Sequence, residues 1–383
     1  MKIIKKIVVS LLILFLLIAG LSYIFNVDYL LKAVRTIYFK GHTTAFLDDY
    51  HAFDNRVIQK SKQPQPWANH KEYNQKPITD KLQKTIDSLG AVAFVIIKND
   101  SVWHESYFDG YANDSKTNSF SKAKSIVSAA LGKAIQEGKI KSLDQKVHDF
   151  FPEMTGEYAK EVTVGDLSSM ASGLDWDEAY YSPLSITTRA YFDDELDQLM
   201  LGLTFKDQPG KAYKYLSGNT QLLAMIITKA VGKDLSTYVS ESFWQPMGVE
   251  HDAFWQTDHE NGMEKAYCCF ASNAKDFARF GKLYKQKGNW NGVQILDTAF
   301  VEKSVQPRFK ESPEYGYGWW LANHLGKEIF YMRGHLGQNV IVIPEDDLII
   351  VRLGHQHGKS KGDDPHATDF YIYVEETYKM LGK

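Results

Sequence analysis

Hydrophobic residues follow three different patterns along this chain. An uncharged run at residues 7–25 has about the length that spans a bilayer. Short apolar segments typical of strands occur between residues 91 and 107, and four more follow residue 316. The region between these segments has helical and loop patterns. This order predicts an α+β fold: one antiparallel sheet assembled from both ends of the chain, with flanking helices and an inserted helical region at about residues 116–262.

Turn and capping residues set the limits of the predicted elements. The stretch Thr163-Val164-Gly165-Asp166 has the form of a capping box and predicts a helix that ends at Gly173. Asn219 and Asn273 are candidate N-caps of two later helices. The predicted helices cover residues 78–89, 119–138, 163–173, 219–232, 273–288 and 365–380. The predicted strands cover residues 91–97, 101–107, 316–322, 327–332, 340–343 and 348–353.

The N-terminus predicts a transmembrane anchor or a signal segment. Residues 1–6 carry three lysines, which favours a cytoplasmic N-terminus and export of the rest, although Lys32, Arg35 and Lys40 on the far side weaken this orientation. The run at residues 7–25 has no Ala-x-Ala cleavage pattern and no cysteine after it to accept lipid. We therefore favour a membrane-anchored protein with a periplasmic or extracellular domain over one secreted after cleavage near Ser22.

The rest of the chain divides into a tether and one large domain. Residues 26–76 are expected to form a tether without visible chemistry, with a short amphipathic helix near its start. Residues 77–383 are expected to form the folded domain. Deletion through residue 40 is accordingly expected to leave a soluble, active protein.

Composition and charge exclude some classes of partner. The chain is 44% hydrophobic and 24% charged, as in ordinary globular proteins, and its net charge of -3 carries no basic signature, so no nucleic-acid partner is expected. The two cysteines, Cys268 and Cys269, are adjacent. Because a bridge between neighbours is strained, they are expected to be unbridged buried residues, with neither a disulfide framework nor a metal cluster. These features do not predict an oligomeric state.

The candidate chemistry centres on Ser121 and Lys124, which stand three positions apart in the predicted helix 119–138. A serine hydroxyl is a weak nucleophile at neutral pH and needs a base. A lysine that apolar neighbours desolvate can lose its proton and serve as that base. The alternative is structural: a serine that caps the helix, followed by a surface lysine.

Helical periodicity distinguishes this pair from two others with the same S-x-x-K spacing, Ser119/Lys122 and Ser272/Lys275. Counting in helical steps places Lys124 on a mostly apolar stripe and Lys122 among more polar positions, which predicts a buried Lys124 and a solvated Lys122. Ser121 also shares its face with small residues, which would let other segments approach closely: Ser125, Ser128 and Gly132.

Three short motifs, in the expected order, resemble those of the serine β-lactamase-related hydrolases, which include class C β-lactamases, D-peptidases, esterases and 6-aminohexanoate-dimer hydrolases. The first, nucleophile motif is Ser121-Lys122-Ala123-Lys124. The second, usually Tyr-x-Asn, is Tyr215-Leu216-Ser217. The third, Lys-Thr-Gly or His-x-Gly, is His335-Leu336-Gly337-Gln338. The resemblance covers about residues 78–381 and implies a β-lactamase/transpeptidase-like fold.

The resemblance implies roles for these residues in acyl transfer. Ser121 would attack, with Lys124 as its base or as a cation that lowers the proton affinity of Tyr215. Tyr215 would pass the proton to the leaving group, and the backbone amides of Ser121 and Gln338 would stabilise the oxyanion. The residues expected to contact the substrate are Ser217, His335, Gly337 and Gln338. No metal and no organic cofactor is needed.

Two departures from the β-lactamase pattern bear on the substrate. His335, largely neutral at pH 7, stands where those enzymes hold a lysine that binds the substrate carboxylate, and Ser217 replaces an asparagine. Both changes favour a serine hydrolase that cleaves a small ester or amide through an acyl-enzyme on Ser121. The alternatives are a β-lactamase or D-peptidase acting on cell-wall peptides, and a catalytically silent binding or sensor domain.

Structural roles for the same residues remain open at this point. Tyr215 could be a core tyrosine, and His335 could be an exposed turn residue. Asp175, Asp177 and Glu178 follow Gly173 in a loop that could face the site or lie in solvent.

Overall fold

The computed structural model of this protein describes residues 2–383. Its helices are α1 (Lys2–Ile24), α2 (Tyr29–Thr36), α3 (Asp80–Ser88), α4 (Ala123–Gln136), α5 (Val164–Ser168), α6 (Ile186–Phe192), α7 (Leu196–Leu201), α8 (Ser217–Val231), α9 (Leu235–Val239), α10 (Ala274–Lys285), α11 (Thr298–Ser304) and α12 (Thr368–Met380). Its strands are β1 (Asn55–Ile58), β2 (Ala68–Asn69), β3 (Ala91–Lys98), β4 (Ser101–Tyr107), β5 (Thr117–Asn118), β6 (Ala253–Gln256), β7 (Phe270–Ser272), β8 (Asn289–Trp290), β9 (Val293–Gln294), β10 (Trp320–His324), β11 (Lys327–Gly334), β12 (Gln338–Ile343) and β13 (Leu348–Gly354).

The main sheet joins the two ends of the chain, as the strand pattern predicts. Its strand order is β10-β11-β12-β13-β3-β4-β2, and every pairing is antiparallel except that of the short β2 with β4. The central pairing is between β13 and β3, where Ile349 lies opposite Ile97 and Ile350 opposite Ile96. The predicted α+β architecture, with one sheet built from both ends of the chain, is confirmed.

Alternate residues of the central strands pack into two separate cores, because successive side chains of a strand point to opposite faces. Ile96 and Ile350 pack with residues of α3 and α12 on one face. Ile97 and Ile349 pack on the other face with α10 and the helical region. The sheet therefore forms a middle layer, and the larger core lies on the side that carries α4.

Capping and turn residues correctly indicated most of the helices and strands, but some of the predicted helix ends are wrong. Thr163 and Asp166 form the predicted capping box of α5, which ends at Ser168 and not at Gly173. Asn273 caps α10 as predicted, because its side chain accepts a hydrogen bond from the Asp276 amide. The predicted Asn219 cap is wrong: α8 begins at Ser217, and the buried Asn219 side chain accepts a hydrogen bond from Ser172 Oγ instead.

The segment interpreted from sequence as a tether contributes strands and buried side chains to the folded body. β1 pairs with β6 in a second sheet of order β1-β6-β7-β5, which the sequence did not reveal. Leu47 is buried, and its carbonyl accepts a hydrogen bond from the Asn118 amide in β5. Asp49 is fully buried and accepts hydrogen bonds from Asn118 and Tyr191. Burial raises the pKa of Asp49, and these hydrogen bonds oppose that rise.

Helix α1 is long and apolar enough to cross a bilayer. Its side chains are almost all exposed, but Ser22 is buried and Ala19 is partly buried. By length and composition alone, an N-terminal signal sequence would pass the same test.

The two adjacent cysteines are bonded to each other, contrary to the expectation of two unbridged residues. Both are buried, and Cys269 has a φ of 72°, which turns the backbone so that the neighbouring side chains meet. Their bond follows directly after Tyr267, whose carbonyl belongs to the candidate site.

Candidate active site

A tight turn between β5 and α4 presents Ser121. Phe120 adopts a φ of 47°, which is unusual for a residue other than glycine, and a single 3₁₀ turn at Phe120–Lys122 then leads into α4. Ser119 is fully buried, and its amide donates to the Phe270 carbonyl at 2.7 Å. Ser121 remains partly exposed at the turn. The local geometry therefore buries Ser119 and leaves Ser121 accessible.

Lys124 lies directly beside the Ser121 hydroxyl. Its Nζ is 2.9 Å from Ser121 Oγ, 3.0 Å from Ser217 Oγ and 2.9 Å from the carbonyl oxygen of Tyr267. The side chain is almost fully buried, and this burial lowers the pKa of Lys124 to about 8, while the nearby Glu178 carboxylate opposes the shift. A substantial fraction of the amine is therefore neutral near pH 8, and its lone pair can accept the Ser121 proton.

Lys122 is buried as well, so the prediction of a solvated Lys122 is wrong. Its Nζ lies 3.4 Å from the centre of the Phe277 ring, and within residues 2–383 it has no hydrogen-bond partner. Burial lowers the pKa of Lys122 well below its ordinary value. The helical count failed because Lys122 belongs to the 3₁₀ turn, where α-helical periodicity does not hold.

The small residues on the same side of α4 allow a close approach, as predicted. Ser125 Oγ donates to the Gly318 carbonyl at 2.5 Å, and Ser128 Oγ donates to the Tyr317 carbonyl at 2.7 Å. A Cβ at Gly132 would overlap the ring of Phe300. The two serines thus hold α4 against the segment that leads into β10, and Gly132 lets α11 pack closely on the same helix.

Glu178 is the site residue that sequence reasoning left undecided. Its carboxylate accepts a hydrogen bond from Ser217 Oγ at 2.5 Å and another from the Ser217 amide at 2.7 Å. It also accepts one from the Tyr180 hydroxyl. Since Ser217 Oγ donates to Glu178, it is an acceptor for Lys124 Nζ. The Glu178 carboxylate thus fixes the orientation of the Ser217 hydroxyl, which accepts a hydrogen bond from the Lys124 amine.

Tyr215 lies across the site from Lys124. Its ring centre is 5.1 Å from Lys124 Nζ, and the ring packs edge-on against Tyr315 and beside Trp320. Burial raises the pKa of the Tyr215 phenol, Glu178 adds to the rise, and the Ser121 hydroxyl opposes it in part. The phenol is therefore protonated in the resting site, where it can donate a proton but does not start as a base.

His335 lies at the rim in an aromatic setting. Its ring stacks on Tyr180 at a centroid distance of 5.7 Å and meets Phe120 edge-on at 5.6 Å. Burial lowers the pKa of His335 to about 4, with a further contribution from His357. Among residues 2–383 no hydrogen-bond partner reaches its Nε2. The imidazole is therefore neutral at pH 7, with a much smaller protonated fraction than a histidine of ordinary pKa would have.

Gln338 and Gly337, which the sequence predicts to contact the substrate, are both buried. The Gln338 side chain donates to the Gly354 carbonyl at 2.6 Å, so its amide group is engaged within the fold. The Gly337 carbonyl accepts a hydrogen bond from the buried Arg352 guanidinium at 3.0 Å. Gly334, at the end of β11, packs so closely on Ser119 that a Cβ would overlap the Ser119 carbonyl oxygen. The third motif is thus held against the nucleophile turn.

A cavity of about 370 Å³ opens beside Ser121. Ser217, His335 and Tyr267 line its floor, and residues of α2 line one wall. Sequence reasoning missed this wall and the role of Tyr267, because both depend on contacts between distant parts of the chain. The amphipathic pattern at residues 27–39 was the one available signal.

Comparison with known proteins gives a consistent result. A family model described as Beta-lactamase matches residues 79–370. The 6-aminohexanoate-dimer hydrolase of Paenarthrobacter ureafaciens is 25% identical over 311 residues, which are 73% of this chain and 79% of that protein. A Bacillus anthracis protein provisionally described as a 6-aminohexanoate-dimer hydrolase superposes with a TM-score of 0.71 at 20% identity, covering 91% of this chain and 93% of the other. A D-stereospecific amidohydrolase from Streptomyces sp. superposes with a TM-score of 0.58 at 15% identity, covering 73% and 95% of the two chains.

Proposed function

Because this chain belongs to the beta-lactamase family of hydrolases, we propose that it is a serine hydrolase that cleaves a small neutral ester or amide through an acyl-enzyme on Ser121. The observation that carries the proposal is the contact between Ser121 Oγ and Lys124 Nζ at 2.9 Å, combined with a lysine pKa of about 8. A buried lysine of this kind supplies the base that a serine nucleophile needs.

In the first half of the reaction Lys124 takes the Ser121 proton as Oγ attacks the carbonyl carbon of the substrate. When Lys124 Nζ is neutral, its two N–H groups donate to the Tyr267 carbonyl and to Ser217 Oγ, and its lone pair faces Ser121. The amides of Ser121 and Gln338 stabilise the negative oxygen that forms. Tyr215, which begins protonated, donates to the leaving group and is reprotonated from Lys124. Water then cleaves the acyl-enzyme by the reverse proton path.

The neutral substrate preference rests on His335 and its surroundings. With a pKa of about 4 and an aromatic enclosure, His335 offers no positive charge at pH 7 to hold a substrate carboxylate. Such a carboxylate is what β-lactams and the D-Ala-D-Ala end carry. The site therefore favours a neutral ester or amide over those substrates.

Fluorophosphonate labelling tests the proposal directly. We expect the probe to label Ser121, because Ser119 and Ser272 are fully buried. Lys124→Ala should abolish labelling, whereas Lys122→Met should retain it, since Lys122 does not contact Ser121. The measurement is tryptic mass spectrometry of the adduct, followed by assays with p-nitrophenyl acetate, nitrocefin and D-amino-acid amides. An adduct on Ser119 or Ser272, or labelling that survives Lys124→Ala, would refute the assignment.

The proposal also includes retention of α1 as a membrane anchor with the hydrolase domain exported. The length of the uncharged run and the three preceding lysines support it.

A further inference from the structure

The cavity beside Ser121 has a wall made by the segment that follows the membrane helix. Leu30, Ala33, Val34 and Ile37 of α2 and the turn after it line this side of the cavity. Of the described residues that line the cavity, none is Asp, Glu, Lys or Arg, and the histidine among them is neutral at pH 7. A volume of about 370 Å³ lies within the range of small-molecule sites. The cavity therefore suits an uncharged, apolar group.

Helix α2 is fixed to the hydrolase domain and is part of its fold. Tyr29 Oη donates to the Pro183 carbonyl at 3.1 Å. Lys32 forms an ion pair with Asp194 and donates to the Asp258 carbonyl at 3.1 Å. Ala33 and Ile37 lie on the buried face between these contacts. The wall is thus held in place by both polar and apolar contacts.

The same helix stands next to the bilayer if α1 spans it. α1 ends at Ile24 and α2 begins at Tyr29, and a linker of four residues spans at most about 14 Å. Large apolar or aromatic side chains close to the cavity are strongly exposed: Phe39 by 82%, Tyr181 by 77% and Leu184 by 71%. Aromatic residues are favoured where protein meets the membrane interface. The cavity is therefore placed near lipid.

We propose that this cavity binds the acyl chain of an amphiphilic ester that reaches Ser121 from the membrane surface. The inference rests on the proposed hydrolase function and replaces its small substrate with a neutral ester whose acyl chain is long enough to fill the cavity. The chain belongs to the acyl part because Tyr215, the donor to the leaving group, is not among the described residues that line the cavity and packs on the side of Tyr315 and Trp320. Ser121 Oγ forms a bond to the acyl carbon, the alcohol leaves with the proton, and water releases the carboxylic acid.

Chain-length preference is the first test, with the full-length protein in proteoliposomes. Each buried methylene is worth roughly a fourfold gain in binding, so burial of only about two of the six additional methylenes should raise kcat/KM for p-nitrophenyl octanoate about tenfold or more above that for p-nitrophenyl acetate. Val34→Phe and Ala33→Phe narrow the cavity and should each lower this ratio at least fivefold. Val293→Phe, at an exposed position in β9, should leave the ratio unchanged. Val34 is partly exposed, so its variant keeps the test informative if Ala33→Phe fails to fold.

The route of entry is the second test. p-Nitrophenyl palmitate should be cleaved at least five times faster when it shares vesicles with the protein than when it is held in a separate vesicle population. Equal rates would overturn delivery from the membrane. An octanoate to acetate ratio near one, or one that Val34→Phe does not change, would overturn the chain site while leaving the hydrolase intact. Failure of Ser121 to react with any ester or with the fluorophosphonate probe would instead refute the proposed function itself.

Discussion

At the scale of single residues, the proposed mechanism depends on keeping Lys124 only partly protonated. Two influences set its pKa of about 8: burial lowers it and the Glu178 carboxylate raises it. Protonated lysine cannot accept the serine proton, so acylation should increase as the pH rises through this value. Glu178 is therefore a positioning residue that also tunes the base.

Glu178→Gln is expected to move the pH profile of kcat/KM for p-nitrophenyl acetate. The wild-type rate should fall about tenfold per pH unit below a midpoint near 8. The negative charge of Glu178 favours the protonated Lys124 amine, so its removal should move the midpoint to lower pH. The amide oxygen of the new glutamine still accepts a hydrogen bond from Ser217. Asp177→Asn, one position away and exposed, should keep the wild-type midpoint. A midpoint that stays at the wild-type value or rises in Glu178→Gln would contradict this role.

His335→Lys is expected to change the charge preference. A hydrogen bond to a charged partner contributes roughly 1.5–3 kcal/mol, or one to two decades in affinity, so nitrocefin turnover relative to p-nitrophenyl acetate should rise by about that factor at pH 7. In the wild type, any gain from protonating His335 should come only near pH 4, and not near the ordinary histidine pKa, because burial lowers it. Steady-state kinetics with both substrates from pH 4 to 8 would check this. An unchanged ratio in the lysine variant would argue against the role of position 335.

At the scale of elements, β11 packs against the nucleophile turn with no room for a side chain at Gly334. Gly334→Ala would push its new Cβ into the Ser119 carbonyl oxygen. We expect a loss of roughly 1–3 kcal/mol in unfolding free energy, the cost typical of overpacking, together with at least a tenfold fall in ester hydrolysis. Gly202→Ala is the control, because its nearest heavy atom would lie at 3.3 Å and its φ of -76° suits alanine. Urea unfolding and esterase assays give the two values, and a fully active Gly334→Ala would contradict the fit.

The sequence allowed prediction of those elements that depend on local patterns of residues. The strands at both chain ends, the capping box at Thr163 and the three motifs were predictable, because each depends on residues close together in sequence. The fold and the family drawn from them are confirmed. Burial of Lys122 was not predictable, since its 3₁₀ turn departs from helical periodicity. The contact between Glu178 and Ser217 depends on loop packing across 39 positions of the chain, which no local pattern records.

At the scale of the whole molecule, deletion can separate the proposed anchoring role of the N-terminal region from its contribution to the packing of the domain. Residues 29–37 bury Tyr29, Ala33 and Ile37 against the domain, so the expectation that deletion through residue 40 leaves an intact enzyme has to be revised. Deletion through residue 25 should give a soluble, active protein. Deletion through residue 40 should also be soluble but lose roughly 2 kcal/mol or more of unfolding free energy, from the lost burial of large apolar side chains.

Fractionation and thermal unfolding check this prediction. The full-length chain should sediment with membranes and begin at Met1 by N-terminal sequencing. A mature N-terminus near Ser22 would overturn the anchor, and equal stability of the two deletion variants would contradict the packing of α2.

The pairing of β3 with β13 also sets an order of events during synthesis. β3 is made about 250 residues before its central partner, and non-local pairings of this kind form slowly. A nascent chain that has not yet reached residue 338 already contains Ser121 and Lys124, but Gly334 has no partner strand and the amide of Gln338 does not exist. Under the proposed mechanism, acyl transfer begins only after the last strands have been translated and have paired. If the domain is exported during synthesis, as proposed, a chain that is still crossing the membrane carries no complete site for acyl transfer, which keeps hydrolysis out of the cytoplasm.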